Sequence, residues 1–213
     1  MSEIKYTICL TSYPKRFANL PKVLDSLWAQ TIKPERIVLT LARNEWAAFN
    51  EMYPEGLNCD VLVIEEDVKV YKKFLYAMEK YGNGAYICVD DDYVYDKDAA
   101  RALFETLTAW CLDAVAGNAY WHNGFKCHCG ALSLVTPVMF DGWRKYEPYF
   151  WQLESSDMFY TMLAAKNGYT YGRLGVTVDE YAEKIPTEEK YTQHGQVQRT
   201  YMKVAELFGW LKF

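Results

Sequence analysis

The N-terminal half alternates between two kinds of segment, and this alternation constrains the fold more than any other feature. Short, nearly continuous apolar runs lie at 4–11 (IKYTICLT), 35–41 (ERIVLTL), 60–64 (DVLVI) and 85–89 (AYICV). Between the first two, Leu20, Val23, Leu24, Leu27 and Trp28 recur at helical spacing, and Asn19 with Pro21 marks a helix start over 20–30. Further helices are expected at 44–52, ended by Pro54, at 71–81, stopped by Gly82-Asn83-Gly84, and at 97–112. A strand that is apolar along its whole length is covered on both faces, and strands separated by helices run parallel. The expectation is an α/β fold with a mostly parallel central sheet and helices on both faces.

The second half is less regular. Residues 113–120 and 131–135 read as strands joined by a polar loop, WHNGFKCHCG. Residues 154–167 read as a helix ended by Gly168, and 186–195 as a polar loop. Val197, Val204, Leu207, Phe208 and Leu211 share one face of a closing amphipathic helix over 196–211. No linker, internal repeat or low-complexity tract divides the chain. It reads as one domain, 1–213, with halves 1–112 and 113–213.

At 213 residues the chain can bury roughly 70% of the surface its unfolded form exposes, so it needs no disulfide or metal to fold. Acidic residues outnumber basic ones by 28 to 23, a net charge of −5, which gives no reason to bind nucleic acid. Aromatics reach 16%, with 18 Tyr and 7 Trp. Part of that is core, and the rest is available for stacking on bases or sugars. No targeting segment or membrane-spanning apolar stretch is seen, and a cytoplasmic location is expected. Cys9, Cys59, Cys88 and Cys111 lie in apolar surroundings and are expected to be buried thiols. The group His122, Cys127, His128 and Cys129 lacks the spacing of a zinc site.

Ligands of open parallel sheets bind beyond the carboxyl ends of the strands. There the first strand runs into Thr11-Ser12-Tyr13-Pro14-Lys15-Arg16, and the third into Glu65-Glu66-Asp67 with Lys69, Lys72 and Lys73. The fourth ends on Asp90-Asp91-Asp92. Two carboxylates about 5 Å apart repel by roughly 3 kcal/mol at an effective dielectric near 20. Three in a row therefore call for exposure, protonation or a cation, and Mg²⁺ or Mn²⁺ prefers such oxygen ligands. A solvated acidic turn before a helix would carry the same residues, and Lys72 and Lys73 could form a solvated helix face. Glu154-Ser155-Ser156-Asp157 opens a helix with two carboxylates one turn apart, a pattern shared with ordinary capping boxes. Glu154, at the fraying end, is expected to be the more mobile of the two. His194 falls in a polar loop.

Taken together, these segments resemble the GT-A class of nucleotide-sugar glycosyltransferases, especially the family-two-like bacterial enzymes. TSYPKRFANLPKVLDSLWAQTIKPERIVL is similar to their first strand, Arg-bearing loop and Ser-Leu-x-x-Gln helix. CVDDDYVYDKDAARAL is similar to their Asp-x-Asp segment. FKCHCGALSLVTPVMF resembles the glycine-bearing segment of the sugar pocket, with Gly130 as its glycine, and ESSDMFYTMLAAKNGYTYGRLG resembles the helix carrying the catalytic carboxylates. The resemblance implies a GT-A (Rossmann-like) fold, with 1–112 as the nucleotide-binding half and 113–213 as the acceptor and sugar half. It implies a metal-dependent, inverting transfer from a nucleotide-diphosphate sugar, a UDP-sugar, to the hydroxyl of a glycan or glycolipid acceptor. Thr11, Ser12, Tyr13, Arg16, Asp67, Lys73, Asp90 and Asp91 would form the nucleotide rim. Asp92, Asp90 and His194 would hold Mn²⁺ or Mg²⁺. Asp157 would be the general base, with Glu154 orienting or capping. The C-terminal Phe208-Gly209-Trp210-Leu211 is compatible with a peripheral membrane or partner-enzyme contact, and equally with packing. The alternatives are a nucleotidyltransferase, which would usually carry a Gly-rich loop after the first strand, and a non-catalytic carbohydrate- or nucleotide-binding module.

Overall fold

The computed structural model describes residues 4–122, 125–169, 171–173, 178–186 and 194–210; of 118–122, 125–131, 173, 178, 194 and 195 it describes the backbone alone. The four apolar runs form parallel strands: β1 (Tyr6–Thr11), β2 (Arg36–Ala42), β3 (Asp60–Ile64) and β4 (Ala85–Val89). Two strands from the second half complete most of the sheet: β6 (Ala114–His122) and β7 (Phe125–Val135). The seventh strand is β8 (Tyr171–Arg173), and the order is β3-β2-β1-β4-β7-β6-β8. Only β7 runs against the others, pairing antiparallel with β4 and β6, so the sheet is mostly parallel as expected. A separate two-stranded ribbon joins β5 (Tyr93–Tyr95) to β9 (Ala182–Lys184).

The alternation of side chains along each strand divides the core into two layers. Ile8, Leu10, Ile37, Leu39, Ile87 and Val89 face one side, which is covered by α1 (Leu20–Trp28), α2 (Arg43–Met52) and α4 (Ala99–Trp110). Cys9, Val38, Tyr86 and Cys88 face the other, covered by α3 (Leu75–Tyr81), α5 (Ser156–Lys166) and α6 (His194–Leu207). Much of the aromatic content is spent in this second layer. Tyr71 stacks on Phe150 at 4.3 Å between ring centroids, and Phe74 meets Tyr160 at 4.4 Å. Phe208 is buried against Tyr146 at 4.8 Å, so packing accounts for part of the C-terminal aromatic run, whereas Trp210 is 41% exposed.

Three local expectations are corrected. The polar stretch WHNGFKCHCG is not a loop: β6 runs on to His122 and β7 begins at Phe125, with His122 opposite Phe125. A hairpin ladder is built from backbone hydrogen bonds and tolerates polar side chains. The helix expected over 71–81 is broken into a 3₁₀ turn (Lys69–Lys72) and α3, with Phe74 at φ −139° between them. Of the four cysteines, Cys9 and Cys88 are buried, but Cys59 is only partly so, and Cys111 is an exposed helix cap in the left-handed region at φ 49°.

The Ser-Leu-x-x-Gln pattern of α1 has a structural explanation. Ser26 Oγ accepts the N–H of Tyr95 at 3.1 Å. The buried Gln30 side chain donates to the carbonyls of Ser26 at 3.2 Å and Asp96 at 2.8 Å, and accepts the N–H of Ala100 at 2.9 Å. These bonds tie α1 to the chain that follows Asp90–Asp92. Replacing Gln30 by Ala leaves the buried Ala100 donor unsatisfied, at about 1–3 kcal/mol, while the Asp96 carbonyl keeps the Ala99 N–H at 3.1 Å. Gln30→Ala is expected to lose about 1–3 kcal/mol and to melt about 3–10 °C lower, measured by calorimetry.

Candidate functional site

The strand ends and the start of α5 enclose a cleft of about 430 Å³. Every rim residue expected from β1, β3 and β4 lines it: Thr11, Ser12, Tyr13, Arg16, Asp67, Lys73, Asp90 and Asp91. Glu154 and Asp157 line it from the opposite side, together with Ser155 and Ser156. Asp92 is 1% exposed and is not among the lining residues. Gly130 lies in β7 and His194 opens α6, but the surroundings of both lie outside the described residues.

Asp90 points to a lysine, whereas Arg16 lies against both Asp91 and Asp92. Asp91 accepts from Ser12 Oγ at 2.6 Å and from Arg16 Nη1 at 2.8 Å, one donor on each oxygen. Asp90 pairs with Lys73, which is itself buried. Asp92 has Arg16 Nη1 at 3.5 Å and Lys184 Nζ at 4.0 Å. Lys184 is brought there by the β5–β9 ribbon and by an Ile185 N–H donated to the Asp92 carbonyl at 2.7 Å. Below the triplet, the buried Tyr95 hydroxyl meets the Asp90 N–H at 2.9 Å and the Asp90 carbonyl at 3.1 Å.

Two residues that the sequence reading did not place in the site complete its floor. Lys72, 2% exposed, donates to Glu45 Oε1 at 2.9 Å and Asp67 Oδ1 at 2.7 Å. It is therefore no part of a solvated helix face. Glu45 caps α2 by accepting the Ala42 N–H at 2.7 Å. Burial pushes the Glu45 carboxyl up despite the Ala42 N–H and Lys72. Burial also pushes Asp67 up, but Lys72 and the Lys69 N–H more than offset it and hold Asp67 below the usual range. The one sequence signal for Glu45 was its place in the first turn after a buried strand.

The α5 start is an N-cap. Ser155 Oγ accepts the Met158 N–H at 3.4 Å, so Asp157 sits in the first helical turn. Glu154 does not fray. Thr200 Oγ1 of α6 accepts the N–H groups of Glu154 at 2.9 Å and Ser155 at 3.0 Å, and Arg199 reaches the Glu154 carboxylate at 2.7 Å.

Burial, then the charge of Asp90, raise the Asp92 carboxyl to about 6, with Arg16 opposing and Asp91 adding to the rise. Burial likewise raises Asp91, against Ser12 and Arg16. Asp90 lines the cleft, where a hard divalent cation needs only one or two carboxylates if substrate phosphates supply the rest. Among the described residues, no group of three or more His, Cys, Asp or Glu side chains could hold a metal by itself. The residues present thus fit a cation shared with a phosphate ligand.

No family model matches the sequence, and no curated protein does. The fold is shared with solved structures. TarS 1–349 of S. aureus, in complex with UDP-GlcNAc, superposes with a TM-score of 0.61 at 15% identity, over 96% of this chain and 65% of that one. The mannosyltransferase PcManGT of Pyrobaculum calidifontis, in complex with GDP-Man and Mn²⁺, gives 0.55 at 13% identity, over 87% and 58%. A Bacillus anthracis protein assigned as a glucose-1-phosphate thymidylyltransferase, in complex with a sucrose, gives 0.54 at 12%, over 99% and 96%. The chain spans less than two thirds of the length of the TarS and PcManGT structures.

Because the folded Asp92 carboxyl lies above its ordinary value near about 4, its ionisation opposes folding. The wild type loses that stability as pH rises from about 4 to about 6 and stays lower above it. Asp92→Asn carries no such charge. Without metal it is expected to melt at or above the wild type at pH 7.5, by on the order of 1–3 kcal/mol, and the gap should close toward pH 4. Thermal melts across that range check the trend. Taken as a whole, the chain has a mostly parallel α/β fold of the GT-A (Rossmann-like) kind.

Proposed function

We propose that this protein is a glycosyltransferase that moves a sugar from a nucleoside diphosphate sugar, a UDP-sugar, to a hydroxyl of a glycan or glycolipid acceptor. The observation that carries this reading is the composition of a single cleft. Cationic and carboxylate groups from three strand ends line one side, and a helix start with two carboxylates lines the other. A diphosphate needs the first side, and an acceptor hydroxyl needs the second.

Tyr13 offers a half-buried ring at the rim. Thr11 Oγ1 donates to the Thr40 carbonyl at 2.8 Å, which leaves its oxygen to accept from a ligand hydroxyl. Ser12 and Arg16 fix Asp91 in a direction suited to accept from a ribose hydroxyl. Lys73 would bind phosphate oxygens, and Asp67 with Lys72 and Glu45 would bound the cleft floor. Asp90 and Asp92 are the residues that would hold Mn²⁺ or Mg²⁺, with His194 as a further donor. When bound, such an ion neutralises charge on the departing diphosphate.

Asp157, at a helix N-terminus, is favoured as an anion and so is ready to accept a proton. In an inverting displacement, the acceptor oxygen forms its bond to the anomeric carbon as the bond to the diphosphate oxygen breaks. Asp157 then takes the acceptor's proton. Glu154, tied through its backbone to Thr200, would orient the acceptor. The metal requirement, the inverting outcome and a cytoplasmic site of action belong to this proposal. No helix among the described residues is long and apolar enough to cross a membrane.

One observation favours a second reading, a nucleotidyltransferase: the thymidylyltransferase-assigned structure matches over nearly the full length of both chains. Against it, the loop Thr11-Ser12-Tyr13-Pro14-Lys15-Arg16 contains no glycine. The two reactions are separated by their products. Mn²⁺-dependent release of UDP from a UDP-sugar is expected, whereas pyrophosphate release from a nucleoside triphosphate and a sugar phosphate would establish the second reading.

Asp157→Asn is expected to lower kcat by about 10²–10⁴-fold with donor affinity nearly unchanged, and Glu154→Gln to lose less. Steady-state kinetics alongside calorimetric titration of UDP read both quantities. Wild-type kcat in Asp157→Asn with an inactive Glu154→Gln would reverse the two roles.

A further inference from the structure

We infer that Lys73 makes the binding of a divalent cation and of a diphosphate mutually dependent, because it occupies the Asp90 carboxylate that a cation would use. Lys73 is thus a positioning residue that acts through Asp90. The inference rests on the glycosyltransferase reading and concerns how its two ligands enter.

Arg16, Lys72 and Lys73, which all line the cleft, are held differently. Lys72 is bonded to two carboxylates, Glu45 and Asp67, and its side chain is 3% exposed. Arg16 is committed to Asp91, whose side chain is 6% exposed and whose other oxygen is taken by Ser12. Lys73 instead pairs with Asp90, whose side chain, at 28% exposed, is the most accessible of the three aspartates. Lys73 and Asp90 come from different loops and both line the cleft. Of the two triplet pairs that line the cleft, it is the one whose carboxylate an entering ligand reaches more readily.

The charges then set a rule. A dication that takes Asp90 alone leaves Lys73 partly buried beside a second positive charge. A diphosphate that takes Lys73 alone leaves Asp90 facing a polyanion, with Asp91 and Asp92 behind it. When both ligands enter, Asp90 meets the cation and Lys73 meets the phosphates, and neither charge is stranded. Burying an uncompensated charge is costly, so each ligand alone binds weakly and each strengthens the other. By linkage, the factor is the same in both directions.

Calorimetry with Mn²⁺ alone, UDP alone and the two together tests this. In the wild type, saturating UDP is expected to tighten Mn²⁺ binding on the order of tenfold or more, and Mn²⁺ to tighten UDP by the same factor. Lys73→Met keeps the length and apolar stem of the side chain but releases Asp90. It is expected to bind Mn²⁺ alone about tenfold more tightly than the wild type, and the UDP–Mn²⁺ combination more weakly. Lys69→Met removes the same charge from the cleft lining without touching the Asp90 pair, and should move Mn²⁺ affinity by no more than about twofold.

An unchanged Mn²⁺-alone affinity in Lys73→Met, or an equal gain in Lys69→Met, overturns the role of Lys73 while leaving the glycosyltransferase reading intact. Failure of the wild type to bind UDP or GDP with Mn²⁺ overturns that reading and the coupling with it. If Lys73→Met does not fold, Asp90→Asn reads the other half of the pair. UDP alone should then bind about tenfold more tightly than to the wild type, and no gain overturns the inference.

Discussion

Buried cations and carboxylates that neutralise one another at the carboxyl end of the sheet are the constraint on which the rest of the site depends. Lys72 and Lys73 are 2% and 8% exposed, Arg16 8%, and Asp91 5%. None of these groups could be desolvated alone, because an isolated buried charge costs several kcal/mol. Each is tolerated because a partner arrives from a different segment: Glu45 after β2 for Lys72, Asp90 after β4 for Lys73, and Asp91 after β4 with Arg16 after β1. The pairs therefore hold the loops after β1, β2, β3 and β4 in register with one another. The parallel sheet makes this possible by bringing those loops to one edge.

The same pairing prepares the cleft for ligands. Its charged groups are already dehydrated and aimed, so less reorganisation is left for the moment of binding. The balance is uneven across the site. The floor at Lys72 is closed by two carboxylates, while the triplet side keeps its most exposed carboxylate, Asp90, at the cleft surface. A ligand that carries both signs exchanges partners there without leaving a net charge buried.

Much of the fold could be read from the chain because β1 to β4 are five to seven residues long and nearly continuously apolar. Such runs have few alternatives to a buried parallel strand. The acidic triplet and the Glu154–Asp157 pair were also legible, since each sits at the edge of a well-marked element. What escaped was whatever a tertiary partner decides. β5, β8 and β9 have three residues each, too few for a period to show. Trp121, His122 and Phe125 to Cys129 lie in a polar stretch, yet their backbone is paired in the β6–β7 ladder. Lys72 and Lys73 resemble a solvated face because nothing nearby in sequence marks Glu45, 27 residues from Lys72, or Asp90, 17 residues from Lys73, as their partners. Asp92 shows the opposite failure, since an acidic residue in a polar run is buried to 1% exposure by a ribbon the pattern did not reveal.

The acidic triplet is thus three half-pairs and not one preformed chelate. The three carboxylates lie in the turn between β4 and β5, and each faces its own surroundings. Asp91 turns to the loop after β1, Asp90 to the loop after β3, and Asp92 lies between Arg16 of the loop after β1 and Lys184 of β9. Their roles follow from those directions. A carboxylate with both oxygens bonded, as in Asp91, serves to orient and holds Arg16 in place. A carboxylate at the cleft surface with an exchangeable partner, as in Asp90, can meet a ligand. A buried carboxylate whose proton affinity is raised, as in Asp92, gains most from a positive charge placed beside it. Spacing alone makes the three aspartates equivalent, and the cations packed against them make them distinct.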